Sequence, residues 1–322
     1  MNMIGRRTLT TSSSKTRSDA VLVSVDWLMN QIIKRKDRND IVIVDATWDL
    51  PGSPFCGEES PRRRFDKCRI PGSTFVDIDE IGDRAFTTPE VAHNLPSDSN
   101  FIASLGIEKK SRVVVYDQHG IFSAPRFWYT LKAFGHLDVV VLDGGLPAWK
   151  RRGYDTENDA SSSTHVTASK SNESYAKTLK KQTSLQWGIE LVKKNIADQN
   201  FQHIDVRPEK RFYGEVPEPR PGMRGGRVPK SFNVPFMNLI DAKTSTMLPA
   251  ETLRERFEDA GIDTTRPAVF SCGSGLTACI GALALNISHP DAGVAPIYDG
   301  SWSEWGGRSD TPIDVGRPAG ES

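Results

Sequence analysis

The chain has 322 residues, with 41 basic and 41 acidic side chains and a formal net charge of zero. That balance excludes a global pull toward nucleic acid or anionic lipid, and no run of 18 apolar residues suggests a membrane span. Four cysteines, at 56, 68, 272 and 279 with no CxxC pair, exclude a disulfide-stapled scaffold and point to a reducing compartment.

Residues 1–19 form a basic, Ser/Thr-rich extension that carries Arg6, Arg7, Lys15 and Arg17 and no acid before Asp19. This is the composition of a mitochondrial transit peptide; a disordered basic tail on a cytoplasmic protein is the plainer alternative. Next, "SVDWLMNQIIK" (24–34) reads as a Ser-capped amphipathic helix, and "IVIVDATWDL" (41–50) opens as a short apolar strand ending in Asp45. Cys56 and Cys68 read as idle thiols, with a disulfide between them as the alternative, and Arg62 to Arg64 as a solvated face. Apolar runs at 113–116 and 139–142 continue the strands, and "TENDASSSTHVTASKSNESYAKT" (156–178) reads as a polar linker crossing the surface. The same order then returns: "SLQWGIELVKK" (184–194) as a second Ser-capped helix, then apolar runs at 202–206, 268–271 and 295–298.

The halves echo one another residue by residue. Ser24 and Ser184, Trp27 and Trp187, and Asp45 and Asp205 are each 160 apart. "RIP" at 69 and "RVP" at 227 are 158 apart, Gly106-Ile107 and Gly261-Ile262 are 155 apart, and "LDGGLPAW" (142) and "YDGSWSEW" (298) are 156 apart. Ordered landmarks at nearly one spacing mark a tandem duplication. Alternating strand and helix patterns imply the α/β class, with each half a parallel sheet covered by helices on both faces. The expected organisation is the extension 1–19, a first domain over 20–155, a linker over 156–180 and a second domain over 181–322.

The halves differ where "VFSCGSGLTACIG" (269–281) places Cys272 between a strand and a helix beginning near Ala278. The first half has Asp117 there, with Gln118 and His119 in place of Gly273 and Ser274. Gly273 and Gly275 permit a tight curl, so amides and the helix N-terminus converge on one concavity that favours a thiolate at Cys272. G-x-G-x-x-A at 273–278 also fits a dinucleotide fingerprint, but it lies far from a domain start, and the acid at 299 has a twin, Asp143, in the half lacking the motif. A cysteine phosphatase needs Arg six residues after the cysteine; this chain has Ala278.

Tandem halves, an inactive first loop and Cys-Gly-Ser-Gly-Leu-Thr-Ala in the second resemble the two-domain rhodanese-type sulfurtransferases, and among them the 3-mercaptopyruvate sulfurtransferases. "RIPGSTFVDID", "SAPRFWYTLKAFGH", "PEPRPG" and "FNVPF" extend the resemblance over residues 20–310. It implies that Cys272 takes sulfur from 3-mercaptopyruvate as a persulfide and passes it to a thiol such as thioredoxin, or to cyanide, releasing pyruvate. No metal or organic cofactor is implied, and neither nucleic acid nor membrane is an expected partner. The resemblance further implies that Arg211 and Arg220 hold the donor's carboxylate, that Gly273, Gly275, Leu276 and Thr277 line the donor, and that Ser274, His93 and Asp79 form a proton relay. Uncharged Gly273 and Ser274 disfavour the dianion thiosulfate. A thiosulfate sulfurtransferase is the nearer alternative, and a persulfide carrier or sensor without turnover the more distant one. Arg69 and Arg227 stand where relatives have His, which points to loop packing, and Lys230 replaces a turn Gly.

Overall fold

The computed structural model describes residues 20–34, 40–52, 56–87, 90–91, 93–158 and 170–317. The basic extension therefore lies outside the described residues. In the first half the elements are β1 (Leu22–Val23), α1 (Val25–Lys34), β2 (Ile41–Asp45), α2 (Pro61–Lys67), β3 (Ser73–Phe75), α3 (Ile78–Ile81), α4 (Asn100–Ser104), β4 (Arg112–Tyr116), α5 (Ala124–Ala133), β5 (Val139–Leu142) and α6 (Gly145–Arg151). A connecting helix, α7 (Lys170–Thr178), leads to β6 (Gln186–Trp187), α8 (Ile189–Asp198), β7 (Gln202–Asp205), α9 (Glu209–Phe212), β8 (Phe232–Asn233), α10 (Ala250–Asp259), β9 (Ala268–Ser271), α11 (Ala278–Ser288), β10 (Ile297–Tyr298) and α12 (Ser301–Trp305).

Each half is a five-stranded sheet, ordered β1-β5-β4-β2-β3 and β6-β10-β9-β7-β8, and every pairing is parallel. The identical order is the duplication seen in three dimensions. Central strands such as β4 (RVVVY) and β5 (VVVL) are continuous apolar runs after the leading Arg112 because helices cover both faces.

Three sequence expectations change. Ser24 does cap α1, its hydroxyl oxygen accepting from the Trp27 amide (3.1 Å), but Ser184 caps nothing: α8 starts at Ile189 behind Gly188. Trp187 lies on β6, paired with Tyr298, so the true offset here is 164 (Val23 and Trp187), and a four-residue difference downstream restores 160 at Asp45 and Asp205. The polar linker is in part a docked helix: α7 buries Asn172 and Ala176, and the Ala176 carbonyl accepts from Ser99 (2.7 Å). Arg64 does not belong to a solvated face. It reaches inward to grip Asp49 with two bonds (2.7 and 2.9 Å) and donates to Gln118 (2.9 Å).

The arginines at 69 and 227 serve their own loops. Each forms an antiparallel bridge, Arg69 with Glu157 and Arg227 with Asp314, and each lies over aromatic rings. Lys230 adopts φ +64°, matching the left-handed φ +71° of Gly72, so the turn survives its substitution. Cys56 and Cys68 are both free thiols.

One buried apolar cluster runs through both halves, joining Phe122 and Phe127 to Phe236, Phe270 and Ile280. Its centre is α5 against α11, the two helices that follow the paired loops. Both are buried nearly all round, which fixes the N-termini of the two helices relative to each other and to the cleft between the halves.

Candidate active site

Cys272 follows β9 directly and is 2% exposed. Its amide donates to Ser301 Oγ (3.1 Å), and its carbonyl accepts from the Trp302 amide (3.0 Å), so the residue is pinned to the start of α12. Beyond it the loop curls under Gly275, which has φ +84° and packs so closely on Asp299 that a Cβ would lie 2.5 Å from the carbonyl oxygen. Among the described residues, the amides of Gly273, Ser274, Gly275, Leu276, Thr277 and Ala278 find no acceptor in the fold. Six consecutive unpartnered donors directly after Cys272, ending at the start of α11, are the makings of an anion cradle.

The first half shows what such a loop does with an anion. Asp117, at the position of Cys272, is wholly buried, and its carboxylate accepts five amides: His119 and Gly120 on Oδ1, then Phe122, Ser123 and Ala124 on Oδ2, all at 2.8–2.9 Å. The glycine pattern is only half lost, because Gly120 occupies the place of Gly275 with φ +115°. The first cradle is filled by its own side chain; in the second the corresponding side chain is the shorter, thiol-bearing Cys272, and the amides of 273–278 have no partner among the described residues.

His93 and Asp79 come from the first half, and His93 meets the loop across the domain boundary. His93 Nδ1 lies 3.0 Å from Asp79 Oδ1, and Nε2 lies 2.7 Å from Ser274 Oγ. With Nδ1–H directed at the carboxylate, Nε2 is left to accept the Ser274 hydroxyl proton. Trp48 Nε1 donates to Asp79 Oδ2 (2.9 Å) and its ring packs edge-on against the imidazole at 5.1 Å. Burial works against the Asp79 charge, but the hydrogen bonds and charge of His93 and the Trp48 bond outweigh it, holding the carboxyl below its ordinary value.

Arg211 and Arg220 approach Gly273 together: a Cβ there would lie 3.5 Å from Arg211 Nη2 and 4.0 Å from Arg220 Nη1. Arg220 Nη1 donates to Ser303 Oγ (2.8 Å), which itself donates to the Gly273 carbonyl (2.6 Å). Arg211 is held by Glu218, whose buried carboxylate also accepts from Arg207 (2.9 Å). Among the described residues, Arg211 Nη1 and Arg220 Nε and Nη2 have no partner, so both arginines keep donors for a ligand. Burial lowers the pKa of Arg220, while the nearby Cys272 sulfur pulls it back up. A cleft of about 540 Å³ between the halves is lined by Trp48, Asp79, His93, Arg220, Met223 and Ser303. A larger hollow, about 880 Å³ along β8, contains none of the predicted residues.

Of the other expected lining groups, the side chain of Leu276 is buried in the core, so only its amide belongs to the cradle, and Thr277 sits at the N-cap of α11 without a side-chain cap bond. Cys279 donates to the Gly275 carbonyl (3.5 Å), and burial pushes its thiol up to about 12, which keeps it protonated. Sequence reasoning missed Trp48, Glu218, Ser303 and Arg126. Arg126, 1% exposed on α5, donates to Asp299 (2.6 Å), to the His93 carbonyl (2.5 Å) and to the Gly275 carbonyl (3.3 Å), fastening the His93 segment and the cysteine loop together. A charge amid the apolar "SAPRFW" was the available signal for it. Asp299 also accepts from the Leu95 amide and Gln186, which leaves it a structural rather than a ribose-binding acid.

A family model for the rhodanese-like domain matches residues 26–152 and again residues 189–308. The chain is 40% identical to "Thiosulfate/3-mercaptopyruvate sulfurtransferase 1, mitochondrial" of Arabidopsis thaliana, over 94% of this chain and 80% of that one. It is 35% identical to 3-mercaptopyruvate sulfurtransferase of Homo sapiens, over 91% of this chain and 94% of that one. The crystal structure of SseA from Escherichia coli, described as a 3-mercaptopyruvate sulfotransferase, is similar with a TM-score of 0.72 and 30% identity, covering 88% of this chain and all of that one. Two matched domains and relatives of this identity and coverage carry the conclusion that the chain belongs to the tandem-domain, rhodanese-type sulfurtransferases.

Proposed function

We propose that this enzyme moves the sulfur of 3-mercaptopyruvate through a persulfide on Cys272 to a second thiol. The observation that carries this reading is the run of six unpartnered amides that follows Cys272, beside a twin loop in which the counterparts of four of them, with the Ala124 amide, are spent on the Asp117 carboxylate.

Arg211 and Arg220 hold the donor carboxylate with the donors they keep free, a task for which the planar guanidinium is suited. The Cys272 thiolate attacks the donor sulfur. An S–S bond forms, the carbon–sulfur bond breaks, and its electron pair leaves on carbon as the enolate of pyruvate. The donor's S–H proton passes through the Ser274–His93–Asp79 relay to the enolate carbon, giving pyruvate and an anionic persulfide that the cradle amides stabilise. A thiol of the thioredoxin class, or cyanide, then attacks the outer sulfur and restores the Cys272 thiolate.

The donor assignment rests on uncharged Gly273 and Ser274 at the loop and on relatives named for 3-mercaptopyruvate. Thiosulfate is retained as a second donor, because the Arabidopsis relative is named for both. For residues 1–19 we propose a mitochondrial transit peptide, in keeping with that relative's mitochondrial name; import of a fusion of residues 1–19 to a reporter tests it, and a reporter left in the cytosol rejects it.

The test of function is turnover. Pyruvate release from 3-mercaptopyruvate plus a thiol is expected to exceed the enzyme concentration many times over, and Cys272→Ser is expected to abolish it. Release that stops at one equivalent would instead identify a carrier.

A further inference from the structure

Three arginines cluster on the second-domain side of the cleft: Arg220 lines it, Arg211 reaches Gly273 beside it, and Arg207 is buried behind them; two carboxylates, Asp205 and Glu218, answer them. Asp205 is consumed by Arg207 (2.7 Å), whose guanidinium also lies 4.1 Å over the Trp302 ring. Glu218 is different in placement. Its side chain is fully buried, one oxygen accepts from Arg207 and the other from Arg211, and its charge acts on Arg220 as well. It therefore touches the charge of all three arginines while leaving Arg211 Nη1 and the outer nitrogens of Arg220 open. Among these five side chains three cations less two carboxylates leave one positive charge, and it is this arginine cluster that faces the Asp79 carboxylate and the Cys272 sulfur, whose charges both act on Arg220.

From this arrangement we infer that Glu218 is a positioning residue that sets donor charge: it trims the arginine wall to one net positive charge, matched to a single carboxylate, and so selects against dianionic donors. The inference rests on the proposed sulfur-transfer function and deepens it. A glutamine at 218 keeps one acceptor oxygen for the Arg211 fork, turns its NH2 toward Arg207, and raises the charge of the cluster by one. A dianion gains twice what a monoanion gains from that charge, so the preference between them must move.

The experiment measures kcat/KM for 3-mercaptopyruvate and for thiosulfate with the unsubstituted enzyme, Glu218→Gln and Glu218→Asp. Glu218→Gln is expected to raise the thiosulfate-to-mercaptopyruvate ratio by roughly tenfold, the effect of one unit charge acting across a few ångström of partly wet cleft. Glu218→Asp keeps the charge and is expected to hold the ratio within about threefold, whatever it does to the absolute rates. An unchanged ratio in Glu218→Gln, or an equal shift in Glu218→Asp, overturns the inference. Failure of the underlying function shows separately, as no turnover of 3-mercaptopyruvate by the unsubstituted enzyme. If Glu218→Gln does not fold, inhibition of the unsubstituted enzyme at fixed ionic strength decides: pyruvate is expected to compete with the donor at lower concentration than sulfate, and the reverse order overturns the inference.

Discussion

Gly275 carries the tightest constraint of the cysteine loop, since both its left-handed φ and the 2.5 Å approach of Asp299 to its would-be Cβ exclude a side chain. Gly275→Ala is expected to cost about 2–4 kcal/mol, read from denaturant unfolding, and to remove most activity by displacing the cradle. Parent-like stability and turnover would show that the loop adapts. Asp79 gives a pH test. Its folded pKa lies below the ordinary value, so its contribution to stability is present above about 4 and is lost as pH falls through the lowered value. Asp79→Asn should therefore be less stable than the parent at neutral pH, with the gap closing below about pH 4. A gap that persists into acid would mean that the lost stability is packing rather than charge. At this scale the loop at Cys272 stood out in the sequence because a thiol facing an Asp counterpart breaks the repeat, and in the first half the matching loop wraps its amides around the Asp117 carboxylate. Glu218 was not legible, because nothing local in "EVPEPRPG" reveals that its carboxylate is buried against two arginines.

The elements that position the site are β9 with α11, and their first-half counterparts β4 with α5. Strands of four or five apolar residues were readable from the sequence, whereas β1, β6 and β8, each two residues long, and β3, three residues long, are too short for any periodicity. Trp187 went to the wrong element for that reason: its strand has no pattern of its own and draws its identity from pairing with β10. Helix α5 also carries the Arg126–Asp299 ion pair, 1% and 0% exposed, across the domain boundary. Arg126→Met leaves Asp299 buried and unpaired, and is expected to cost about 3–5 kcal/mol in unfolding free energy. Because Arg126 also holds the His93 and Gly275 carbonyls, the fraction that remains folded should turn over more slowly as well. Unchanged stability would mean that the Leu95 amide and Gln186 suffice to hold the Asp299 carboxylate.

Across the whole molecule the duplication exchanges contacts between halves in matched fashion. Asp143 of the first half accepts the Met247 amide of the second (2.9 Å), and Asp299 of the second accepts the Leu95 amide of the first (2.8 Å). With a continuous apolar core through α5 and α11, the two halves are expected to unfold in one transition, detected as coincident changes in fluorescence and circular dichroism; two resolved transitions would show independent domains. The first half also reaches the cysteine loop of the second: His93 meets Ser274, with Asp79 and Trp48 behind it. All of this converges on one sulfur held in an amide cradle at Cys272. The most direct test is intact-mass analysis with peptide mapping after brief exposure to 3-mercaptopyruvate without an acceptor. One added sulfur on the Cys272 peptide, lost on adding a thiol, is the predicted result; no addition, or addition at Cys56, Cys68 or Cys279 instead, would contradict it.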